Sequence, residues 1–213
     1  MSQSERAARR AARSGSGPSA APPARFPGAT SAFGLLGEVL LVGVLVTVAS
    51  LPIVTLPAAL AAGVRHLGRY LRAEGSRLGM FWRDVRAGLI GGIGIGVAMA
   101  AITALLILDI WLAGTGALPG GAAVAVVGWV GLAALATALC TAAGRWTPVH
   151  GWLDAVRQVP RAWRADAPGA LYLVATVGFA GVVTWQLAPL IIPALGCVAL
   201  AVFAVPERPS RRV

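Results

Sequence analysis

From residue 33 to residue 64 the chain stays apolar for 32 residues, interrupted only by Glu38, Thr47, Ser50 and Thr55. A bilayer core takes about 20 residues of helix, so this stretch is too long for one straight span. It also carries its own break. Pro52 disfavours a helical residue before it, Thr55 is a good helix N-cap, and Pro57 falls in the first turn of a new helix, where proline is tolerated. The expected structure is a helical hairpin: out along 34–49, a turn through 50–54, and back along 56–73. The return helix has about nine apolar residues before Arg65, roughly 14 Å of helix. It must therefore start well inside the membrane or lie where the membrane is thinned.

Composition agrees that the chain is an integral membrane protein, since 57% of its residues are hydrophobic. A soluble domain would have to expose that surface. Five apolar runs stand out, at 33–50, 88–113, 121–143, 169–185 and 187–205. With the hairpin, this predicts an all-α polytopic transmembrane bundle of about five to six membrane-embedded helices. The expected organisation is a disordered Arg/Ala/Pro-rich tail over 1–32, one transmembrane domain over 33–205, and a short tail over 206–213.

Charge sets the expected orientation. The net charge is +10, and all 18 basic residues are arginine, as in the codon usage of a GC-rich bacterial genome. They fall in clusters that flank the apolar runs, and Arg65, Arg69, Arg72, Arg83 and Arg86 belong to the one with the most arginines. Loops 114–120 and 186–189 carry no charge. By the positive-inside bias the arginine clusters and both termini are cytoplasmic, in a multi-pass plasma membrane protein. Nucleic acid is not an expected partner, because basic grooves with stacking aromatics are missing. The N-terminal segment lacks the order of a signal peptide, so the first run is expected to remain as an anchor.

Two basic segments read as amphipathic interfacial helices, near 64–87 and 147–165. Ser76 is the expected N-cap of "SRLGMFWRDVRAG", and Thr147 with Pro148 the expected start of "TPVHGWLDAVRQVPRAW". Trp82, Trp146, Trp152 and Trp163 on this side, and Trp111 and Trp185 on the other, fit interfacial belts.

Few residues offer chemistry. Gly88, Gly92 and Gly96 make a flat stripe for close approach of another helix, of this chain or of a second copy in a homo-oligomer. Asp109 in "LLILDIWLAG" is the one carboxylate inside a span, a candidate proton, cation or substrate contact. Glu38 is expected near the cytoplasmic boundary, within reach of an arginine. His66 and His150 read as solvated interfacial histidines, and Cys140 and Cys197 as packed small hydrophobes. No zinc spacing, nucleophile–base grouping or phosphate loop can be assembled. No cofactor or metal is expected, and enzymatic function is unsupported.

"LPIVTLPAALAAGVRHLGRYLRAEG", followed by "FWRDVRAGL" and a span ending "LILDIWL", resembles the YesL-like family of bacterial integral membrane proteins, a family of unknown function. The shared pattern is Pro-x-x-Thr on Pro52 and Thr55, a Pro-Ala start on Pro57 and Ala58, and basic residues from Arg65 to Arg72. An aromatic-Arg segment from Phe81 to Arg86 and Asp109 near the end of the next span complete it. The resemblance implies a non-enzymatic accessory of carbohydrate uptake, with an ABC transporter permease or a membrane sensor as partner. A small transporter or channel using Asp109 is the alternative.

Overall fold

The computed structural model describes residues 26–29, 31–116 and 120–208, and among these all regular structure is helical. Seven α-helices follow one another: α1 (Ala32–Ala49), α2 (Leu56–Leu71), α3 (Leu78–Gly114), α4 (Gly121–Arg145), α5 (Gly151–Ala165), α6 (Ala167–Gln186) and α7 (Ile191–Glu207). Single 3-10 turns, Ile53–Thr55 and Ala188–Leu190, lead into α2 and α7. Five helices, α1, α3, α4, α6 and the unit ending in α7, are long and apolar enough to cross a membrane. The protein is a multi-pass, all-α membrane protein. Of the segments read as tails, 1–25, 30 and 209–213 lie outside the described residues. Residues 26–29 are seated on the end of α2: the Gly28 N–H donates to the Leu71 carbonyl at 3.0 Å, and the Phe26 ring lies 6.0 Å from Phe203.

The chain reverses between α1 and α2, and Gly63 faces the side chains of Val42 and Val46. The Thr55 hydroxyl does not cap α2 as the sequence suggests. It donates across the reversal instead, to the carbonyls of Ala49 at 2.6 Å and Pro52 at 2.7 Å. Those carbonyls end α1 and open the turn, so the hydroxyl ties the two sides of the turn together.

At 16 residues, about 24 Å, α2 is short for a membrane span, and it lies at the centre of the bundle. Twelve of its residues are buried, from Pro57 to Leu71. It packs on α1, α3, α4 and α7. Its many alanines and glycines are what a helix surrounded on all sides needs, because packing in lipid depends on close approach more than on apolar transfer. A second close approach joins α1 to α7: Gly43 lies on the Ile192 backbone and Gly196 on the Val39 backbone.

Backbone geometry divides α3 in two. Ile90 (ψ 111°) and Gly91 (φ 78°) leave the helical region, so 78–89 is an amphipathic helix and 92–114 the span. Gly91 suits the break because a positive φ costs glycine nothing. Gly96 lies on the Val54 backbone at the α1–α2 reversal, and toward its C-terminus α3 packs closely on α4. Gly131 meets Leu106, Gly128 meets Ile110, and Gly121 meets the Ala113 backbone. The rest of this two-helix arm is bare: Leu105, Leu108, Trp111, Val127, Trp129 and Val130 are all exposed.

Helix starts at the basic end differ from expectation. Arg77, not Ser76, is the N-cap of α3. The second interfacial helix, α5, starts at Gly151, with His150 as N-cap, and residues 148–150 form a turn in which the Thr147 hydroxyl accepts from the His150 N–H at 3.3 Å. The Ser76 hydroxyl donates to Glu38 of α1 instead, and the Thr147 oxygen serves the turn before α5.

Candidate functional site

The ionisable residues converge at one end of the bundle, around the C-terminal half of α2. Arg65, His66, Arg69 and Arg72 occupy its last two turns, where positive charge also complements the helix dipole. Their partners come from three other helices, α3, α1 and α7.

Asp84 of α3 is the centre of the first group. Its side chain is 3% exposed and accepts from Arg65 Nε at 3.2 Å and from Arg69 Nη2. One buried carboxylate therefore holds two guanidiniums. The Arg65 guanidinium lies 5.9 Å from the Trp146 ring, and Trp146 stacks on Trp152 at 5.8 Å. Trp152 in turn donates its indole N–H to the Gly88 carbonyl at 2.7 Å. Gly88 sits just before the break at Ile90 and Gly91, so α5 satisfies a carbonyl that the interrupted helix leaves free.

The second group is built on His66, which is completely buried. Its Nε2 lies 2.9 Å from Glu38 Oε1, and Ser76 donates to the same oxygen at 3.3 Å. A carboxylate partner requires the proton on Nε2. The Phe81 ring meets the imidazole edge-on at 6.2 Å. Two outer pairs complete the end: Arg72 with Glu207 at 3.3 Å, and Arg208 with Asp166, which also caps α6 through the Gly169 N–H at 3.0 Å.

These placements correct several expectations. His66 is a buried, hydrogen-bonded core residue and not a solvated one. Glu38 does lie at the basic end, but it pairs with His66 and Ser76 instead of an arginine. Trp146 and Trp152 are packed inside, whereas Trp82, Trp111 and Trp185 remain exposed. Arg65, Arg69 and Arg72 come together; Arg83 and Arg86 are exposed on the other face of α3. Gly88 meets Ala58, Gly92 meets the Trp152 indole and Gly96 meets Val54. Asp109 joins none of this. It is exposed on the α3–α4 arm, with no hydrogen bond or ion pair among the described residues.

Asp84 is not among the residues expected to carry chemistry, although the sequence around it carries a signal. Phe81, Asp84, Val85 and Gly88 fall at helical spacing and are all buried. An acid on the apolar face of an arginine-rich helix points to a basic partner on the helix it covers.

Two cavities adjoin these groups and a third lies away from them. One of about 220 Å³ is lined by Arg65, Arg69, Arg72, Glu74, Thr147 and Phe203, among others. One of about 350 Å³ lies between α4, α5, α6 and α7, with Trp163 and Asp166 in its wall. The third, about 480 Å³, is an apolar crevice between α4, α6, α7 and the start of α2. Asp109 lines none of them. No group of His, Cys, Asp and Glu suited to a metal ion occurs among the described residues. The chain matches no protein-family model, no curated protein and no solved structure.

Proposed function

We propose that the protein is a non-enzymatic accessory that docks on another membrane protein through its α3–α4 arm, with both termini in the cytoplasm. The single observation behind this reading is the arm itself. It is an apolar pair of helices with large side chains exposed beyond Gly96, and it carries an exposed acid, Asp109, with no ion pair among the described residues. A carboxylate in a span is costly unless paired or able to reach the interface. A basic or hydrogen-bonding residue on a partner's helix would satisfy it. The partner class, a permease or sensor of a carbohydrate import system, comes from the YesL-like resemblance alone.

The polar groups of the spans favour docking over transport. The hydroxyls of Thr47, Thr137, Thr141 and Thr176 all donate back into their own helices. A path for a polar solute needs several unspent polar groups facing one space.

The test is a photoreactive residue at Val127 or Trp129, crosslinked in native membranes. We expect one partner subunit on the arm, and Asp109→Asn should lower its co-purification about tenfold, the scale of a lost charged hydrogen bond. Adducts with lipid only, or with a second copy of this chain, would overturn the accessory reading. So would solute or proton flux in liposomes holding the protein alone, if Asp109→Asn abolished it. For topology, a reporter fused after Arg13 should read cytoplasmic; an external reading would place the basic end outside.

A further inference from the structure

The 220 Å³ cavity at the basic end has the lining of an anion site. Arg65, Arg69 and Arg72 follow one another at spacings of four and three along α2, which puts their guanidiniums on one face. Glu74 is the one carboxylate in the lining, and it is exposed. Asp84 and Glu207 pair with the arginines but do not line the cavity.

The pairing leaves donors over. Arg69 is 13% exposed, shares its carboxylate with Arg65, and has Nη1 buried with no hydrogen-bond partner among the described residues. A buried N–H without an acceptor costs free energy, so native structures rarely keep one. The Thr147 hydroxyl accepts from the His150 N–H and keeps its own O–H to donate. Aromatic rings steady two of the guanidiniums, Trp146 beside Arg65 and Phe203 at 5.4 Å from Arg72. Complementing the α2 dipole accounts for the positive charge here. It does not account for three guanidiniums and a hydroxyl with an unspent O–H lining one cavity.

We propose that this cavity binds a phosphate group, held by Arg69 and Arg72 with Thr147 as a third donor. Several guanidiniums with spare N–H groups suit a tetrahedral oxyanion with many acceptor sites better than a carboxylate. The phosphate has two possible sources, the headgroup of an anionic lipid and a free phosphate anion, and the test separates them.

Purified full-length protein in neutral detergent, at constant ionic strength, is titrated with dihexanoyl phosphatidylglycerol, with inorganic phosphate, and with dihexanoylglycerol as a chain-only control. Binding to the folded state raises the thermal midpoint in a saturable way. Phosphatidylglycerol should do so, and dihexanoylglycerol should not. Stabilisation by phosphatidylglycerol alone identifies a headgroup site, and equal stabilisation by inorganic phosphate a free-anion site; either supports the cavity. Arg72→Gln, at a half-exposed position that tolerates change, should weaken the apparent affinity about tenfold. Thr147→Val should weaken it less, and Arg157→Gln, exposed on α5, should leave it unchanged. The proposal fails if neither phosphate compound raises the midpoint, if dihexanoylglycerol matches phosphatidylglycerol, or if Arg72→Gln and Thr147→Val both bind as the parent does.

Discussion

Asp84→Ala should remove most of the folded protein from a detergent extract. The substitution leaves Arg65 and Arg69 facing each other with no counter-charge. Arg65, 32% exposed, can turn toward solvent, but Arg69 at 13% cannot do so without unpacking α2 from its neighbours. Breaking a buried ion pair by deleting one partner costs about 3–5 kcal/mol, a large share of the 5–15 kcal/mol that is typical of a folded domain. Asp84→Asn keeps an acceptor oxygen and should lose less. The comparison that isolates the charge is Asp84→Leu combined with Arg65→Gln and Arg69→Met. Because the desolvation penalty of the group goes with it, the triple variant should regain most of the lost stability. Size-exclusion profiles and thermal midpoints of the three variants check this. An Asp84→Ala protein as stable as the parent would mean that the ion pairs carry no net weight.

How much of this was visible in the residues differs between the fold and the site. The reversal at Pro52 and Pro57 was legible because proline acts on the backbone locally, whatever surrounds it. The break before the third span was half legible. The amphipathic segment ending near Arg86 and the apolar span after it differ plainly in composition, but nothing in "GLIGG" says which glycine takes φ 78°. His66 was not legible. Whether a histidine at the end of a helix meets solvent or Glu38 depends on α2 being enclosed by four other helices, and that is a property of the assembled bundle. The central position of α2 could have been argued from its run of small residues, since Ala58, Ala59, Ala61, Ala62 and Gly63 leave every side flat enough for a neighbour. Asp109 shows the opposite case. Its depth in the span could be read from the sequence, but the side it faces could not.

The glycines of α3 allow the sharpest separation of packing from propensity. Gly94 and Gly96 are two residues apart in the same apolar span, so they share its length, lipid environment and helix-forming tendency. They differ in what a methyl group would meet. At Gly94 there is nothing within 4 Å, and at Gly96 an added Cβ would overlap the carbonyl and Cα of Val54. Val54 belongs to the 3-10 turn at the α1–α2 reversal, and the Thr55 and Pro52 bonds fix that turn, so it cannot retreat without releasing the hairpin. Gly92 is intermediate, because its neighbour is the Trp152 side chain, which has more room to shift than backbone has. Overpacking costs about 1–3 kcal/mol per site where the surroundings partly relax. Gly96→Ala should fall at the upper end, Gly92→Ala below it, and Gly94→Ala should be neutral. Gly92→Leu should be severe, since no rotamer shift of one indole makes room for an isobutyl group, whereas Leu89→Val, at a half-buried position off the stripe, should be mild. Thermal midpoints in one detergent rank the five variants. If Gly96→Ala and Gly94→Ala unfold together, the turn at Val54 does not rest on α3, and the hairpin is held by its other contacts.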